Sequence, residues 1–186
     1  GIAIMHQTGI RAMQLDAARV DNQGGLINSA ESLVLTATTL DSSNQGEVSA
    51  QQDLVLSINQ LIQQQGRLIS GTRLALDLHD GSLDNRGGLI SANGPLTLAN
   101  LKALDNRGGE LSSNASFLVK ADSIDNGEQG RIISAGTLGL EAATLRNAGE
   151  GLLSGWQGLD VKGGSLDNSD KGTLSSRNGA LNVELS

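Results

Sequence analysis

Six aspartates recur along the chain at multiples of about 21 residues, and paired carboxylates are the groups that glycosidases use for acid and base catalysis. They are Asp21, Asp41, Asp84, Asp105, Asp125 and Asp167. Stacked copies of a repeat would hold neighbouring carboxylates near the ~5–5.5 Å separation of a retaining glycosidase. That separation follows from the repeat itself, however, and an alternating pattern turns each aspartate toward solvent beside an inward apolar residue. The sequence therefore predicts solvated carboxylates, no catalytic residue and no enzyme, with a glycan-active enzyme as the least favoured function.

The two histidines and the absence of cysteine limit other chemistry. His6 and His79 lie in distant repeats and share no nearby acid partner in the sequence, so neither a catalytic triad nor a metal site is predicted. The chain has no cysteine, which excludes a thiolate nucleophile and a disulfide scaffold. Its net charge of −7 argues against nucleic acid as a partner, and no cofactor is implied.

Three residues are candidates for contact with a ligand. Arg86 and Arg107 occupy equal positions in successive repeats and would stack as a like-charged pair, which could bind an anionic glycan or a phosphate. Trp156 lies in a turn, where an exposed ring can contact a receptor. The competing interpretation is a solvated rim, in which carboxylates such as Asp84 and Glu110 neutralise the arginines and the indole lies over the wall.

All of these residues belong to a repeat of about 21 residues, a period typical of solenoids. The apolar residues that start each copy are Val20, Leu40, Leu61, Leu83, Leu104, Ile124, Leu145 and Leu166. An apolar-x-apolar pair precedes most starts by seven and five residues, as Leu33 and Leu35 do. A third apolar position is followed by serine: Val48, Ile69, Ile90, Leu111, Ile133, Leu153 and Leu174.

These three apolar positions, separated by turn formers, predict three short strands per coil. The period is too short for a helical solenoid, and residues 96–106 alone faintly match a leucine-rich repeat. We therefore predict an all-β fold, a right-handed parallel β-helix whose strands pair with their equivalents in the next coil. Residues 1–19 would end a preceding coil. Residues 20–186 would form eight repeats of one continuous segment, cut from a longer chain.

An asparagine stands two residues after most repeat starts. These residues are Asn22, Asn85, Asn106, Asn126, Asn147 and Asn168. Ser42 and Gln63 take this position in the two weakest copies. Because stacked amides can pass hydrogen bonds from coil to coil, the column predicts a structural ladder, in preference to an asparagine-lined ligand groove.

The composition and the apolar runs add three expectations. One Trp, one Phe and no Tyr predict an aliphatic core. No apolar run reaches the ~20 residues of a membrane span, and the first residues do not read as a signal peptide. A solenoid without capping helices would expose strand edges at both ends, which predicts end-to-end self-association.

The recurrent Leu-Asp-Asn-Arg-Gly-Gly-x-Ile/Leu-Ser and Leu-x-Leu segments resemble the haemagglutinin repeats of filamentous haemagglutinins and of the related contact-dependent growth-inhibition exoproteins. The resemblance covers residues 20–186 and is clearest from residue 83 onward. The Asn-Pro-Asn motifs of the family's secretion domain are absent, which fits an internal shaft segment. The resemblance implies a secreted or surface-bound Gram-negative filament, exported by an outer-membrane two-partner-secretion transporter.

Two functions follow from the residues and from this resemblance. The first is a structural shaft segment that displays the distal binding or toxin regions of an adhesin or toxin-delivery protein. The alternative is an adhesive lateral face that binds a glycan or a cell-surface receptor through Arg86, Arg107 and Trp156.

Overall fold

The computed structural model describes residues 2–3, 6–10 and 12–186, and these residues form two parallel sheets with no helix. The long-strand sheet contains β1 (Ile2–Ala3), β3 (Met13–Asp16), β4 (Arg19–Asp21), β6 (Leu33–Asp41), β8 (Leu54–Ile62), β10 (Leu74–Asp84), β12 (Leu96–Asp105), β14 (Phe117–Asp125), β16 (Thr137–Arg146), β18 (Gly158–Asp167) and β20 (Leu181–Leu185). The short-strand sheet contains β2 (His6–Ile10), β5 (Leu26–Ser29), β7 (Glu47–Ala50), β9 (Arg67–Ser70), β11 (Leu89–Ala92), β13 (Glu110–Ser113), β15 (Arg131–Ser134), β17 (Leu152–Gly155) and β19 (Thr173–Ser176).

Equivalent strands of successive coils pair in parallel and in register. Leu83 of β10 lies opposite Leu61 of β8 and Leu104 of β12, so one coil takes about 21 residues. The chain thus winds through about eight coils, with the two sheets facing each other across one aliphatic core. The prediction of an all-β parallel solenoid is confirmed.

From β5 onward each coil has two strands where three short ones were predicted. The apolar-x-apolar pair and the next repeat start share one long strand, which bends where two successive side chains point outward. In β8 these two residues are Asn59 and Gln60, and the inward alternation resumes at Leu61. Backbone pairing continues through the bend between β6 and β8, between β14 and β16 and between β16 and β18, so the two apolar positions form one strand around a corner.

The core consists of aliphatic columns that run along the solenoid axis. The repeat-start residues from Val20 to Leu145 are buried, and Leu166 is partly buried. The short-strand column differs from the prediction in two coils, because Leu68 and Ile132 point inward where Ile69 and Ile133 were expected. In both coils two aliphatic residues are adjacent. The first of each pair points inward because it lies opposite an inward residue of a neighbouring coil: Leu68 lies opposite Ile90, and Ile132 lies opposite Leu111.

The last coil leaves apolar side chains at an open edge. Leu181, Val183 and Leu185 of β20 are each about half exposed, at 45–47% of their surface. They lie beyond β18, whose Leu159 and Val161 are buried.

In the part of the chain that the structure describes, no helix is long and apolar enough to cross a membrane.

Candidate functional site

The recurrent aspartates close the turn that follows each long strand. A carboxylate oxygen of Asp84 accepts the backbone N–H of Arg86 at 3.2 Å, and Asp105 accepts that of Arg107 at 3.2 Å. Asp21, Asp41, Asp125 and Asp167 each accept the backbone N–H two residues later in the same way. These short local bonds are the Asx turns that aspartate commonly forms. The column therefore has a structural role that accounts for its spacing without catalysis.

Arg86 and Arg107 are held by these same carboxylates. The Arg86 guanidinium donates to both oxygens of Asp84 at 3.0 and 2.9 Å, and Arg107 donates to Asp105 at 2.9 and 2.7 Å. Each arginine also lies 3.7 Å from the aspartate of the next coil. The hydrogen bonds that the guanidinium groups donate to Asp84 and Asp105 raise the pKa of both arginines. Two forked ion pairs leave little uncompensated positive charge for an anionic ligand.

Trp156 lies on another side of the coil, after the short strand β17. Its ring is 45% exposed, and the Arg177 guanidinium carbon lies 4.9 Å from the ring centroid, within the range of a cation–π contact. With its amide oxygen turned to the indole, Asn178 accepts a hydrogen bond from Trp156 Nε1 at 2.8 Å. The ring also borders a groove of about 240 Å³ lined by Ser91, Ser112 and Ser154.

The three predicted ligand contacts therefore do not form one site. Arg86 and Arg107 follow the long strands β10 and β12, whereas Trp156 follows the short strand β17. The groove beside the indole contains neither arginine. A ligand could meet the tryptophan or the arginines, but the structure offers no common pocket for all three.

From Asn85 to Asn168 the asparagines form a continuous column of amides, buried as far as Asn147. The Nδ2 group of Asn85 donates to Asn106 Oδ1 at 2.7 Å, and Asn106 donates likewise to Asn126 at 2.7 Å. Asn126 continues to Asn147 and Asn147 to Asn168, both at 2.8 Å. The second Nδ2 hydrogen bonds a backbone carbonyl, such as that of Arg131 for Asn106 at 3.1 Å. The column thus ties each turn to the next coil and leaves no open amide face for a ligand.

The repeated turn, the column of amides and the coil of two sheets are the features by which this chain can be compared with known families. The family model for the haemagglutinin repeat matches residues 11–45, 35–87, 73–142 and 133–183. The chain belongs to the haemagglutinin-repeat family. Comparison with curated proteins and with solved structures gave no significant match. Haemagglutinin repeats in a β-solenoid fit the shaft of a filamentous adhesin, which is structural and extracellular.

The amide column of these haemagglutinin repeats is interrupted in the coils that start at Leu40 and Leu61. Asn22 donates to Ser42 Oγ at 3.1 Å, and Gln63 donates to Asn85 Oδ1 at 3.3 Å. Gln63 Oε1, although buried, accepts no hydrogen bond, and neither does Asn22 Oδ1. A serine is too short to pass an amide hydrogen bond onward, so the two halves of the column are not joined here.

The structure also corrects one expectation about the histidines. His6 is a residue whose side chain lies outside the description, but His79 has an acid partner: its Nδ1 lies 3.8 Å from Asp77 Oδ1, and its Nε2 lies 2.5 Å from Ser57 Oγ. A signal for this cluster exists in the sequence, because Asp80 and Gly81 lengthen the haemagglutinin repeat between Leu78 and Leu83. Among the described residues no three metal-ligating side chains converge.

Proposed function

We propose that this chain is a shaft segment of a secreted bacterial surface filament, which holds distal binding or toxin regions away from the cell. The observation that carries the proposal is the parallel pairing of each long strand with its equivalent in the next coil, from β4 to β20. A solenoid of this kind grows by adding identical coils, and its stability comes from contacts between neighbours. Such a rod extends a chain without needing a catalytic or ligand-binding group.

The lateral charges of the solenoid support the same function. Arg67 pairs with Glu47, Arg131 with Glu110, and Arg146 with both Asp125 and Glu128. Each of these pairs joins one coil to its neighbour along the axis. Charges that neutralise each other within the wall suit a spacer better than a surface that attracts a charged receptor.

The proposal extends to the setting of the filament. A haemagglutinin-repeat shaft of this kind would reach the cell exterior through an outer-membrane two-partner-secretion transporter, acting on the parent protein. The parent would be either an adhesin or a contact-dependent toxin-delivery protein, because both would use the same shaft. The absence of cysteine suits a chain that crosses a pore unfolded.

An adhesive lateral face is the second candidate, and Trp156 is the observation that favours it. This half-exposed residue borders a groove lined by five serines, an arrangement that suits a polyhydroxylated ligand such as a glycan. The Arg177 guanidinium already occupies one face of the indole, so a sugar stacking there would have to displace it.

One binding experiment separates these two functions. The fluorescently labelled chain is titrated onto intact Gram-negative bacteria and onto epithelial cells, beside a Trp156→Ala variant and an Arg86→Ala/Arg107→Ala variant. The shaft function predicts no saturable binding by any of them. Saturable binding that Trp156→Ala abolishes would establish the lateral adhesive face and overturn the spacer.

End-to-end self-association is a further part of the proposal. The half-exposed Leu181, Val183 and Leu185 flank an open β-edge, and such an edge is a template for another strand. We expect the chain to associate in a concentration-dependent way that Val183→Lys suppresses, as measured by light scattering after size-exclusion chromatography. A strictly monomeric wild-type chain at high concentration would contradict this.

A further inference from the structure

One corner of the solenoid departs from the regular coil. Asp77 of β10 lies opposite Ser57 of β8, and Ser82 lies opposite Gln60, so four residues of β10 face two residues of β8. The extra residues form a bulge in which His79 and Asp80 have φ angles of 48° and 63°. Left-handed backbone costs free energy in residues other than glycine, and both strain and bulges concentrate at functional sites.

The bulge brings a hydroxyl, an imidazole and a carboxylate together. His79 Nε2 is 2.5 Å from Ser57 Oγ, within hydrogen-bond distance, and its Nδ1 is 3.8 Å from Asp77 Oδ1. That carboxylate is fixed in turn by the backbone N–H of His79 and by the Asn100 amide, each at 3.0 Å. The hydrogen bond from Asn100, followed by that from the His79 backbone, lowers the pKa of Asp77, which keeps it ionised.

The three groups stand in the order that activates a serine. A nucleophilic hydroxyl needs a base within hydrogen-bond reach, and the base needs a third group that orients it. Ser57 and His79 meet the first condition. Asp77 approaches the second, at a distance that is long for a hydrogen bond but common in sites without a bound substrate. We propose that Ser57 is an activated nucleophile that accepts the acyl group of an ester, with His79 as its general base.

The chemistry of this step balances without a cofactor. His79 Nε2 takes the Ser57 hydroxyl proton while Oγ bonds to the ester carbonyl carbon. The carbon–oxygen bond to the leaving alcohol then breaks, and the alcohol takes the proton from His79. Water can release the acyl group by the same route. His79 Nε2 takes a proton from the water as its oxygen bonds to the acyl carbon, the bond from that carbon to Ser57 Oγ breaks, and Oγ takes the proton back from His79, which yields a carboxylic acid and restores Ser57. Asp77 acts as a positioning residue that stabilises the charged imidazole.

The surface beyond the cluster indicates the class of ester. A groove of about 390 Å³ begins at Asp80 and Asn100 and runs over Leu98, Leu101 and Leu118, with Lys120 and Asp122 also in its lining. Leu118 is 45% exposed, so part of the groove offers apolar surface to a ligand. Because Leu98 lies two strands from Ser57, an aliphatic acyl chain of roughly 10 Å would place its end there. This inference is independent of the shaft function, since one corner can react while the rest of the coil serves as a spacer.

A serine-directed probe tests the proposal on the intact chain. We expect a fluorophosphonate to label the wild type at Ser57, as located by peptide mass spectrometry, and p-nitrophenyl acetate to be hydrolysed above the rate in buffer. Ser57→Ala should lose the labelling, while Ser82→Ala, which removes an exposed serine of β10, the strand of His79, should keep it. His79→Gln can still hydrogen-bond Ser57 but cannot take its proton, so labelling should slow at least tenfold; a general base typically contributes about 10²–10⁴-fold.

The positioning role of Asp77 has its own readout. The ionisable groups of β10 around His79 are Asp77 and Asp80, while the neighbouring strands contribute the uncharged Ser57 and Asn100. Asp77→Asn should lower the maximal labelling rate and leave the half-saturating concentration of the probe unchanged, because Asp77 orients the base and does not contact the probe. Thermal melts of each variant check folding. A folded wild type that is not labelled, or a Ser57→Ala variant labelled at the wild-type rate, would overturn the proposal.

Discussion

Asn106 Nδ2 lies 2.7 Å from Asn126 Oδ1, and the two fully buried amides are joined across a coil boundary. The same donor-to-acceptor direction holds from Asn85 to Asn168, so every link runs toward the C-terminal coil. Each amide in the chain is both donor and acceptor, and hydrogen bonds in such chains polarise and strengthen one another. The column therefore couples successive coils through their interior.

Removing one member of the column should be costly. In Asn106→Ala, the Asn85 amide loses its acceptor, and Asn126 Oδ1 and the Arg131 carbonyl lose their donor. We expect the free energy of unfolding to fall by about 3 kcal/mol, since each buried unsatisfied group costs about 1–3 kcal/mol. Chemical denaturation measures the loss.

The matched control is Asn114→Ala, which removes an exposed hydrogen bond that Asn114 Nδ2 donates to Asn93 Oδ1 at 2.8 Å. Surface substitutions of this kind usually change stability by less than about 0.5 kcal/mol. Equal losses in the two variants would contradict a special role for the buried column.

Restoring the interrupted column should stabilise the chain. The turn after Asp41 has the same length as the turn after Asp125, and residues 44–45 and 128–129 share positive φ angles, so an asparagine fits the first turn as Asn126 fits the second. Ser42→Asn would bring a donor to the unsatisfied Gln63 Oε1. We expect a gain of about 1 kcal/mol in the free energy of unfolding. The exposed Ser82→Asn is the control, and an unchanged or lower stability of Ser42→Asn would count against the interpretation.

The fold was predictable because its information is local and repeated. Aliphatic residues at fixed spacing, turn formers between them and asparagine at one position all require stacked, in-register coils. Strand count was not predictable, since the corner between two apolar positions still allows backbone pairing. The inward orientation of Leu68 and Ile132 was also not predictable. Each has an aliphatic residue directly after it, and either of two adjacent aliphatic residues can take the inward position of an alternating strand.

The lateral surface was less predictable for a physical reason. Arg86 and Arg107 occupy equivalent positions in successive repeats, so the sequence already places them near each other. The carboxylates that bind them depend on side-chain rotamers and on distances between coils, which the sequence does not give. The Ser57–His79 contact joins residues 22 positions apart through a bulge whose shape the repeat pattern does not encode. The extra residues before Leu83 indicate that this coil departs from the regular repeat, but they do not indicate which side chains the bulge brings together.

The second glycine of each Gly-Gly turn is required by close packing between coils. A methyl group added to Gly109 would overlap the backbone carbonyl oxygen of Asn85 in the preceding coil. Gly109→Ala should therefore destabilise the chain by more than about 2 kcal/mol, because backbone in the neighbouring coil must move. Thermal unfolding followed by circular dichroism at 218 nm provides the measurement.

Gly139→Ala is the informative comparison. Its added methyl would meet the end of the flexible, exposed Leu118 side chain at 3.1 Å, which can turn away. We expect no loss of stability or a slight gain, because alanine also restricts the unfolded chain. A Gly139→Ala variant as unstable as Gly109→Ala would show that strand glycines matter for another reason.

Acid should weaken the corner that Asp84 closes. Burial alone raises the pKa of Asp84, but hydrogen bonds from Arg86 and Gln64 outweigh it, and the pKa lies below its ordinary value. A carboxyl with a lowered pKa in the folded state contributes stability above its unfolded pKa of ~3.9 and loses that contribution as pH falls through the folded value. Asp84→Asn should therefore be less stable than wild type at pH 7, and the difference should shrink as the pH falls through the lowered pKa of Asp84.

Denaturation at pH 7 and at a series of acidic values measures this difference. Asp122→Asn, at an exposed position of β14, removes the same charge away from any arginine fork and serves as the control. A difference between Asp84→Asn and wild type that stays constant down to pH 2 would contradict the ion pair as its source.

Stacking of coils that touch only their neighbours also determines how the chain yields under tension. A pull on its two ends does not shear the whole sheet at once, because the outermost coil can peel away while the coils behind it stay paired. Each coil that opens releases about 21 residues, or roughly 70 Å of extended chain at ~3.3–3.6 Å per residue. The rod would thus lengthen stepwise under load and rewind when the load falls, which makes it an extensible tether as well as a stiff one.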